Sequence, residues 1–546
     1  MTVQNALAQT DFYKYAHPNL AIDGVDRMYG NYTSRNGRLS NVPNNEEVVF
    51  VGLQYFIKDV LLDEWDSTFF NVPKDVAIGS MKRIAEYCLG QPMYDTKPFE
   101  DLHDLGYLPL KIKALPEGVS VPYGVPPVTF VNTVDGFDWL EGFLETVFST
   151  ENWPIQTSAT TAKAYLKRTI EAFDSAGLSH DLVPFMCHDF SLRGCFGRHA
   201  GAMSGFGHLT SFAGTDTIPA ILFAEKYYNA NMETELVGAS VNATEHSIST
   251  TAIMTMVEEQ GISKLEAEVK FVQHLMKKAP TGILSHVSDS FDFWAFVTEG
   301  LPLLKEEILA RDGKLVIRPD SGDPVDILCG KQVAVSVKSL SDISPYDIPK
   351  GLVYVENKDY YCYVTKGSTI DTYMEVSIDK VVPKSEVKGL VQLLGEMFGT
   401  TESPTGLKLL NDKIGAIYGD SITLERQDQI IKRLEEKGYA GMVVLGIGSY
   451  SYQYVTRDTH GSAVKSTWAL KDGKPVDVCK DPKTDSKKKS LKGLIRVELE
   501  DGKYVAYAQQ TSEQESQGEL NTVFLNGKLL YETSLTEIRE RVKLSL

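Results

Sequence analysis

The sequence predicts an α/β protein: an irregular β/α barrel, an α+β domain built from the N- and C-terminal segments, and a small inserted subdomain. Three observations predict it. The chain has 546 residues, more than one core ordinarily serves, so it divides into domains. From about Phe185, short apolar stretches alternate with helical patterns, which implies a mostly parallel sheet. Each apolar stretch runs into a polar or glycine-rich loop, and in a closed β/α barrel such loops gather at one rim, where chemistry is done.

We expect residues 1–155 with 468–546 to form the α+β domain, 156–467 the barrel, and 330–412 an insertion within the barrel. In the first part, 48–51 and 128–131 read as strands. Leu110–Ala114 alternates apolar with charged residues, as a half-buried strand does. The pattern of 139–148 is helical. Phe12, Tyr13 and Tyr15 crowd into the polar segment 10–17, as in a helix that buries its rings. Barrel strands are expected to end near Cys187, Phe212, Val241, Val287, Ile317, Ile417 and Leu445. Helices such as 218–228 and 424–437 lie between them. Seven units rather than eight mean either an unrecognised strand or an irregular barrel.

The rhythm breaks once, between Ile317 and Ile417. That interval holds strand-like 351–364 and 369–376 and helix-like 384–398, so it reads as a subdomain; a bare loop of that length is uncommon. The tail carries Lys480, Lys483, Lys487, Lys488, Lys489 and Lys492, a basic run that by default is a solvated loop. A hairpin follows over 523–530, turning at Asn526-Gly527. Ser534-Leu535-Thr536-Glu537 is a capping box that opens the last helix.

The formal net charge is −18. Such a field repels nucleic acid and anionic membrane, so neither is an expected partner, and an anionic substrate needs a local positive pocket. The six cysteines are scattered without a C-x-x-C pair. With no basic, apolar leader at the start, they point to reduced thiols and a cytoplasmic protein. No stretch is long and apolar enough to span a bilayer.

The loops after the strands collect the polar residues. In order they are His188-Asp189-Phe190-Ser191-Leu192-Arg193-Gly194, Gly214-Thr215-Asp216-Thr217, Ser240-Val241-Asn242-Ala243-Thr244-Glu245-His246-Ser247 and Ser285-His286-Val287-Ser288-Asp289-Ser290. Then come Arg318-Pro319-Asp320-Ser321-Gly322-Asp323, Tyr418-Gly419-Asp420-Ser421 and Gly446-Ile447-Gly448-Ser449. A guanidinium such as Arg318 grips phosphate oxygens in a fork, and a carboxylate such as Asp320 takes sugar hydroxyls or a hydrated magnesium ion. Taken alone, that stretch serves equally well as a surface turn with a local ion pair. Glycine-rich backbone before a helix presents N–H groups to phosphate, although a tight turn also explains it. Arg193, Arg318, Arg457 and Lys465 can together hold a ligand with several phosphates. His246 sits in a polar loop with Asp289 one loop further on, an arrangement that can orient an imidazole and raise its pKa. A packed or surface histidine is the alternative. Phe190 either stacks on a flat ligand or plugs the top of the barrel.

These loops, in this order, resemble the nicotinamide and nicotinate phosphoribosyltransferases, within the wider group that includes the quinolinate enzymes. The match runs from Thr10-Asp11-x-Tyr13-Lys14 to the last helix and leaves out the insertion. It is carried by His188-Asp189-Phe190-x-x-Arg193-Gly194, Gly214-Thr215-Asp216-Thr217, Glu245-His246-Ser247, Ser288-Asp289-Ser290-x-Asp292 and Ile317-Arg318-Pro319-Asp320-Ser321-Gly322. The resemblance implies transfer from phosphoribosyl pyrophosphate to nicotinamide, giving nicotinamide mononucleotide and pyrophosphate. It implies magnesium, coupling to ATP through a phosphorylated His246, and a homodimer with active sites at the subunit interface. It places the pyridine ring between Phe190 and the partner subunit's Tyr13, with Asp216 on the ring amide.

By the same resemblance, phosphate ligands are Arg193, Arg318 and Arg457, with Arg35, Lys465, Lys480 and Lys488 as further candidates. Asp289 lies beside the histidine. Ser285, Asp320, Gly419, Asp420, Gly448 and Ser449 line the substrate, and Asp289 and Asp320 are the metal candidates. Two positions depart from the pattern: Ser449 stands where a glycine is usual, and Gly415 where an arginine is. The rivals are a nicotinate enzyme, separated by Asp216, and a non-catalytic binding protein, against which His246 with Asp289 argues.

Overall fold

The computed structural model describes residues 5–89, 95–370, 373–419, 421–480 and 491–546. Five of the residues named above, Asp420, Lys483, Lys487, Lys488 and Lys489, lie outside them. Seven parallel strands form the central sheet: β1 (Cys187–Asp189), β2 (Gly214–Thr215), β3 (Asn242–Ala243), β4 (Thr281–Val287), β5 (Asp312–Arg318), β6 (Ile414–Tyr418) and β7 (Val444–Ile447). Their spatial order is β2-β1-β7-β6-β5-β4-β3. The two edges meet at a parallel bridge between Gly214 and Ala239. There Thr215 N donates to Ala239 O at 2.9 Å and Ala239 N to Ala213 O at 2.7 Å. The sheet therefore curls into a seven-stranded ring, and the irregularity expected from the missing eighth unit is real among the described residues.

Register puts the C-terminal strand ends on one rim. Arg318 pairs with Val287, Tyr418 with Leu445, Ile447 with Asp189, Asp189 with Thr215, and Ala243 with Ser285. Leu315 and Ile317 of β5, Ile414 and Ala416 of β6, and Leu445 and Ile447 of β7 are buried in the main core. The apolar runs become strands because both sides are packed, and they stop where polar loops must reach water.

The second core belongs to the N-terminal part of the chain and pieces of its tail. Its sheet places Val25–Thr33 between Ala463–Lys471 and Val128–Asn132, with Leu110–Ala114 and Asn521–Leu525 beyond. The tail hairpin turns at Asn526 and Gly527, both at positive φ (49° and 75°), as the Asn-Gly pair requires.

Three features differ from the expected pattern. The helix expected over 139–148 continues to Ser175 (Trp139–Ser175) and carries Pro154 inside it. It contributes Phe143 and Phe148 to the second core and Tyr165 and Phe173 to the main one, so the boundary drawn at 155 falls within one continuous element. The last helix, Leu535–Leu544, opens on the expected capping box, but its Leu535, Ile538 and Val542 pack in the barrel's core. In the inserted segment, a four-stranded sheet (Val333–Val337, Leu352–Val355, Tyr360–Ile370, Tyr373–Val382) surrounds its own small core of Ile343, Val353, Val355 and Cys362. The helical stretch after it breaks at Gly389 (φ 78°), and Leu390–Phe398 returns to the main core.

Candidate active site

A continuous chain of contacts crosses the rim of the ring. Asp216, just past β2, accepts from His188 Nε2 at 2.9 Å and from Ser240 Oγ at 2.5 Å. Burial pulls the Asp216 carboxyl up, but those two hydrogen bonds and the charges of His188 and Arg318 outweigh it and hold the group below its ordinary value. The carboxylate is therefore ionised at neutral pH. The His188 ring lies 4.6 Å from that of Phe190, because residues two apart on a strand share a face. Over Phe190, at 5.2 Å from its centroid, sits the Arg318 guanidinium.

Arg318 Nη2 donates to Asp320 Oδ1 at 3.2 Å, while its buried Nε has no partner among the described residues. Asp320 N donates to Asp289 Oδ2 at 3.1 Å, and Ser321 Oγ donates to the same oxygen. The other oxygen, Asp289 Oδ1, faces His246 Nε2 at 3.1 Å. The Asp289 side chain is 4% exposed and that of His246 45%. A buried carboxylate thus orients an accessible imidazole, and loops from β1, β2, β3, β4 and β5 form one surface.

Glycines make the approach possible. A Cβ on Gly419 would lie 2.3 Å from Asp320 Oδ1 and 2.6 Å from Arg318 Nε, closer than any carbon can come. Gly419→Ala should push this pair aside and lower kcat/KM by roughly 10- to 100-fold, as overpacking of 1–3 kcal/mol does. Steady-state kinetics beside a melting curve would check that the loss is in activity rather than in folding. A Cβ on Gly194 would lie 2.0 Å from Ser449 Oγ. The serine that departs from the usual glycine therefore fills the space beside the Arg193 loop. At the other departure, a Cβ on Gly415 would be 3.3 Å from the Lys314 stem, so a neighbouring cation already occupies that side of β6.

Arg193 is exposed on the short turn Leu192–Gly194. Gly448 immediately precedes Ser449–Gln453. Ser285 is buried on β4, and its hydroxyl has no partner among the described residues. It points opposite to His286, hence toward the interior of the ring.

The remaining residues form a second group on the α+β side. Burial pulls the Lys465 ammonium below its ordinary value; the charges of Arg35, Lys480 and Arg457 add to this, and Glu145 opposes it. The ion pair Lys465–Glu145 spans 3.8 Å, and Lys14 holds Glu145 at 2.8 Å. Arg35 Nε donates to Gly461 O at 2.6 Å. Tyr13 lies near Asp11, Glu145 and Arg457 and is 62% exposed, whereas Tyr15 is buried. The rings of 10–17 thus divide between core and surface. In this second group, direct contacts join Lys465, Glu145 and Lys14, while Arg35 is tied to the Gly461 carbonyl.

Sequence reasoning did not single out His188 or Ser240 as partners of Asp216. The period-two spacing of His188 and Phe190 was the available signal for the first. Nothing in the spacing of Ser240 marks the second. Among the described residues, no three His, Cys, Asp or Glu side chains come together as a metal cluster, and no helix is long and apolar enough to cross a membrane.

Comparison with known proteins agrees with this geometry. Residues 185–528 match the nicotinate phosphoribosyltransferase (NAPRTase) family. A protein of Acinetobacter baylyi, named nicotinamide phosphoribosyltransferase, is 41% identical over 548 residues, covering 98% of this chain and 97% of that one. One of the same name from Xanthomonas campestris is 28% identical, covering 98% of each chain. The fold is like that of human nicotinic acid phosphoribosyltransferase (TM-score 0.50, 13% identity, 99% and 93% of the chains covered). It is likewise similar to nicotinate-nucleotide pyrophosphorylase of Pyrococcus furiosus (TM-score 0.50, 13% identity, 99% and 95% covered). With its strand-end loops converging on one rim and this likeness along nearly its whole length, the chain belongs to the nicotinate phosphoribosyltransferase family and is a phosphoribosyltransferase of NAD salvage.

Proposed function

We propose that the base is nicotinamide, the donor phosphoribosyl pyrophosphate, and the products nicotinamide mononucleotide and pyrophosphate. The observation that carries this reading is the ionised Asp216, held by His188 and Ser240 beside the Phe190 ring. A carboxylate there accepts a hydrogen bond from a ring carboxamide and repels the carboxylate of nicotinate. The curated relatives named for nicotinamide support it.

In the transfer, the lone pair of the pyridine nitrogen forms a bond to ribose C1, and the C1–O bond breaks as pyrophosphate leaves with its electron pair. Negative charge grows on the leaving group, where Arg318, with its unpartnered Nε, is positioned to stabilise it. Positive charge on the sugar is tolerated beside Asp320. Magnesium, which takes few carboxylates together with phosphate oxygens and water, suits Asp320. Both oxygens of Asp289 are already engaged, which suits that residue better to orienting His246. When bound, the ion would offset charge on the pyrophosphate.

The second group gathers the positive charges of Lys465, Arg35, Arg457 and Lys480 in one region, with the exposed Tyr13 near Arg457. We assign it to the mouth of a second copy in a homodimer, where the partner subunit's Tyr13 would cover the base and these cations would meet the phosphates.

ATP enters through His246. With Nε2–H donating to Asp289, Nδ1 keeps its lone pair and attacks the γ-phosphorus; an N–P bond forms and the P–O bond to ADP breaks. Incubation with nicotinamide, phosphoribosyl pyrophosphate and magnesium, with and without ATP, tests both parts. Wild-type protein should form the mononucleotide, do so further with ATP, and carry acid-labile phosphate. His246→Ala should carry no label and lose the ATP stimulation. Labelling of the variant equal to that of wild type contradicts the assignment.

A further inference from the structure

Beneath His246 lies a buried polar network that the transfer reaction does not use. Glu268, on the helix Lys264–Lys278, meets His286 Nε2 with its Oε1 at 3.1 Å. Their side chains are 3% and 0% exposed, and the rings of Phe271 and Phe296 stand edge-on to the imidazole at 5.9 and 5.5 Å. On the far side, His286 Nδ1 is 3.3 Å from Thr244 Oγ1. That hydroxyl also accepts from Val287 N at 3.0 Å, and Thr244 N donates to Ser285 O at 3.0 Å.

The hydrogen bonds fix one another. With Nε2–H donating to the Glu268 carboxyl, Nδ1 holds a lone pair and accepts the Thr244 O–H; the Thr244 oxygen is then left to accept the Val287 N–H. Such a pair is expensive to bury and, as a source of stability, replaceable by apolar residues. Its position is more informative. Thr244 is two residues before His246, and His286 three residues before Asp289, so the network stitches together the two loops whose side chains meet at the site.

We propose that Thr244, His286 and Glu268 are positioning residues that hold His246 against Asp289 for phosphoryl transfer. The proposal rests on the reading of His246 as the phosphoryl acceptor.

Three variants test it. Thr244→Val keeps the shape and removes the hydroxyl, Thr244→Ser keeps the hydroxyl, and Glu268→Gln frees the His286 tautomer. Two readouts are needed: the rate of acid-labile labelling from ATP across ATP concentrations, and the His246–Asp289 separation in crystals of each protein. Thr244→Val should label at least tenfold more slowly at saturating ATP, with the half-saturating ATP concentration within twofold of wild type. In its crystals His246 should lie beyond hydrogen-bonding distance of Asp289. Thr244→Ser should restore both, and Glu268→Gln should fall between.

Labelling of Thr244→Val at the wild-type rate overturns the proposal, and so does Thr244→Ser as slow as Thr244→Val. If wild type takes no label at all, the phosphohistidine reading falls. The crystals alone then decide the positioning role, which an unchanged separation in Thr244→Val overturns. Should Thr244→Val fail to fold, Glu268→Gln carries the same two measurements.

Discussion

Arg318→Ala should lower kcat/KM for phosphoribosyl pyrophosphate by about a thousandfold, the largest loss expected of any single side chain at the rim. The guanidinium is held over Phe190 and by Asp320, and its buried Nε has no acceptor among the described residues. Truncating one partner of a hydrogen-bonded charge pair with a ligand costs roughly 2–5 kcal/mol of binding, which at about 1.36 kcal/mol per tenfold spans roughly 30-fold to several thousandfold. The loss should appear at saturating nicotinamide and leave the melting temperature nearly unchanged, because Asp320 is still bonded through its backbone to Asp289. Arg318→Lys should recover only part of the activity, since an ammonium restores the charge without the fork. Steady-state kinetics with the donor as the varied substrate check both variants.

The second large effect is a change of substrate. In Asp216→Asn the ratio of kcat/KM for nicotinamide over nicotinate should fall by about 10²- to 10³-fold, because a like-charge contact worth several kcal/mol is removed. Asparagine keeps the shape and can still accept from His188. Turnover of each base in turn measures the ratio. A variant that still rejects nicotinate contradicts the account of selectivity. The pH dependence has a definite sign. The Asp216 carboxyl is held below its ordinary value, so wild-type discrimination should persist through the range where an ordinary carboxyl protonates. It should fade only as pH drops through that lowered value.

Much of this was legible in the residues. Five of the seven ring strands contain their expected ends, because their apolar runs stop at Gly, Pro and charged residues, which end a buried strand for steric and solvation reasons alike; Phe212 and Val241 instead fall just before the two-residue strands β2 and β3, which carry no apolar run of their own. The capping box at Ser534 and the Asn526-Gly527 turn are local chemistry and needed no tertiary information. The helix Trp139–Ser175 was not legible beyond Phe148, since Trp153-Pro154 reads as a stop. The structure tolerates Pro154 in a helix packed against both cores, where Asn152 Nδ2 bonds to the Phe148 carbonyl at 2.8 Å. The last helix shows an apolar face in its sequence, but a face does not say which core receives it.

At the site, each loop's polar residues could be read, and the resemblance supplied their roles. Of the connections between loops, His246 with Asp289 was expected and is present; His188 with Asp216, Arg318 over Phe190, and the second oxygen of Asp289 on the Asp320 loop could not be read. Those contacts join residues far apart in the chain, and no periodicity records them. The division of the cations into a rim group and a second group on the α+β side was equally invisible, since nothing in their spacing along the chain separates them.

The most direct test is a crystal structure of the protein with nicotinamide mononucleotide and pyrophosphate bound. The pyridine ring should lie on Phe190 with its amide on Asp216, and the phosphates should meet Arg318, Gly419 and Gly448. The partner subunit's Tyr13 should close over the ring. A nucleotide bound away from Phe190 and Arg318, or one whose amide faces away from Asp216, would contradict the convergence of these loops on a single substrate cavity.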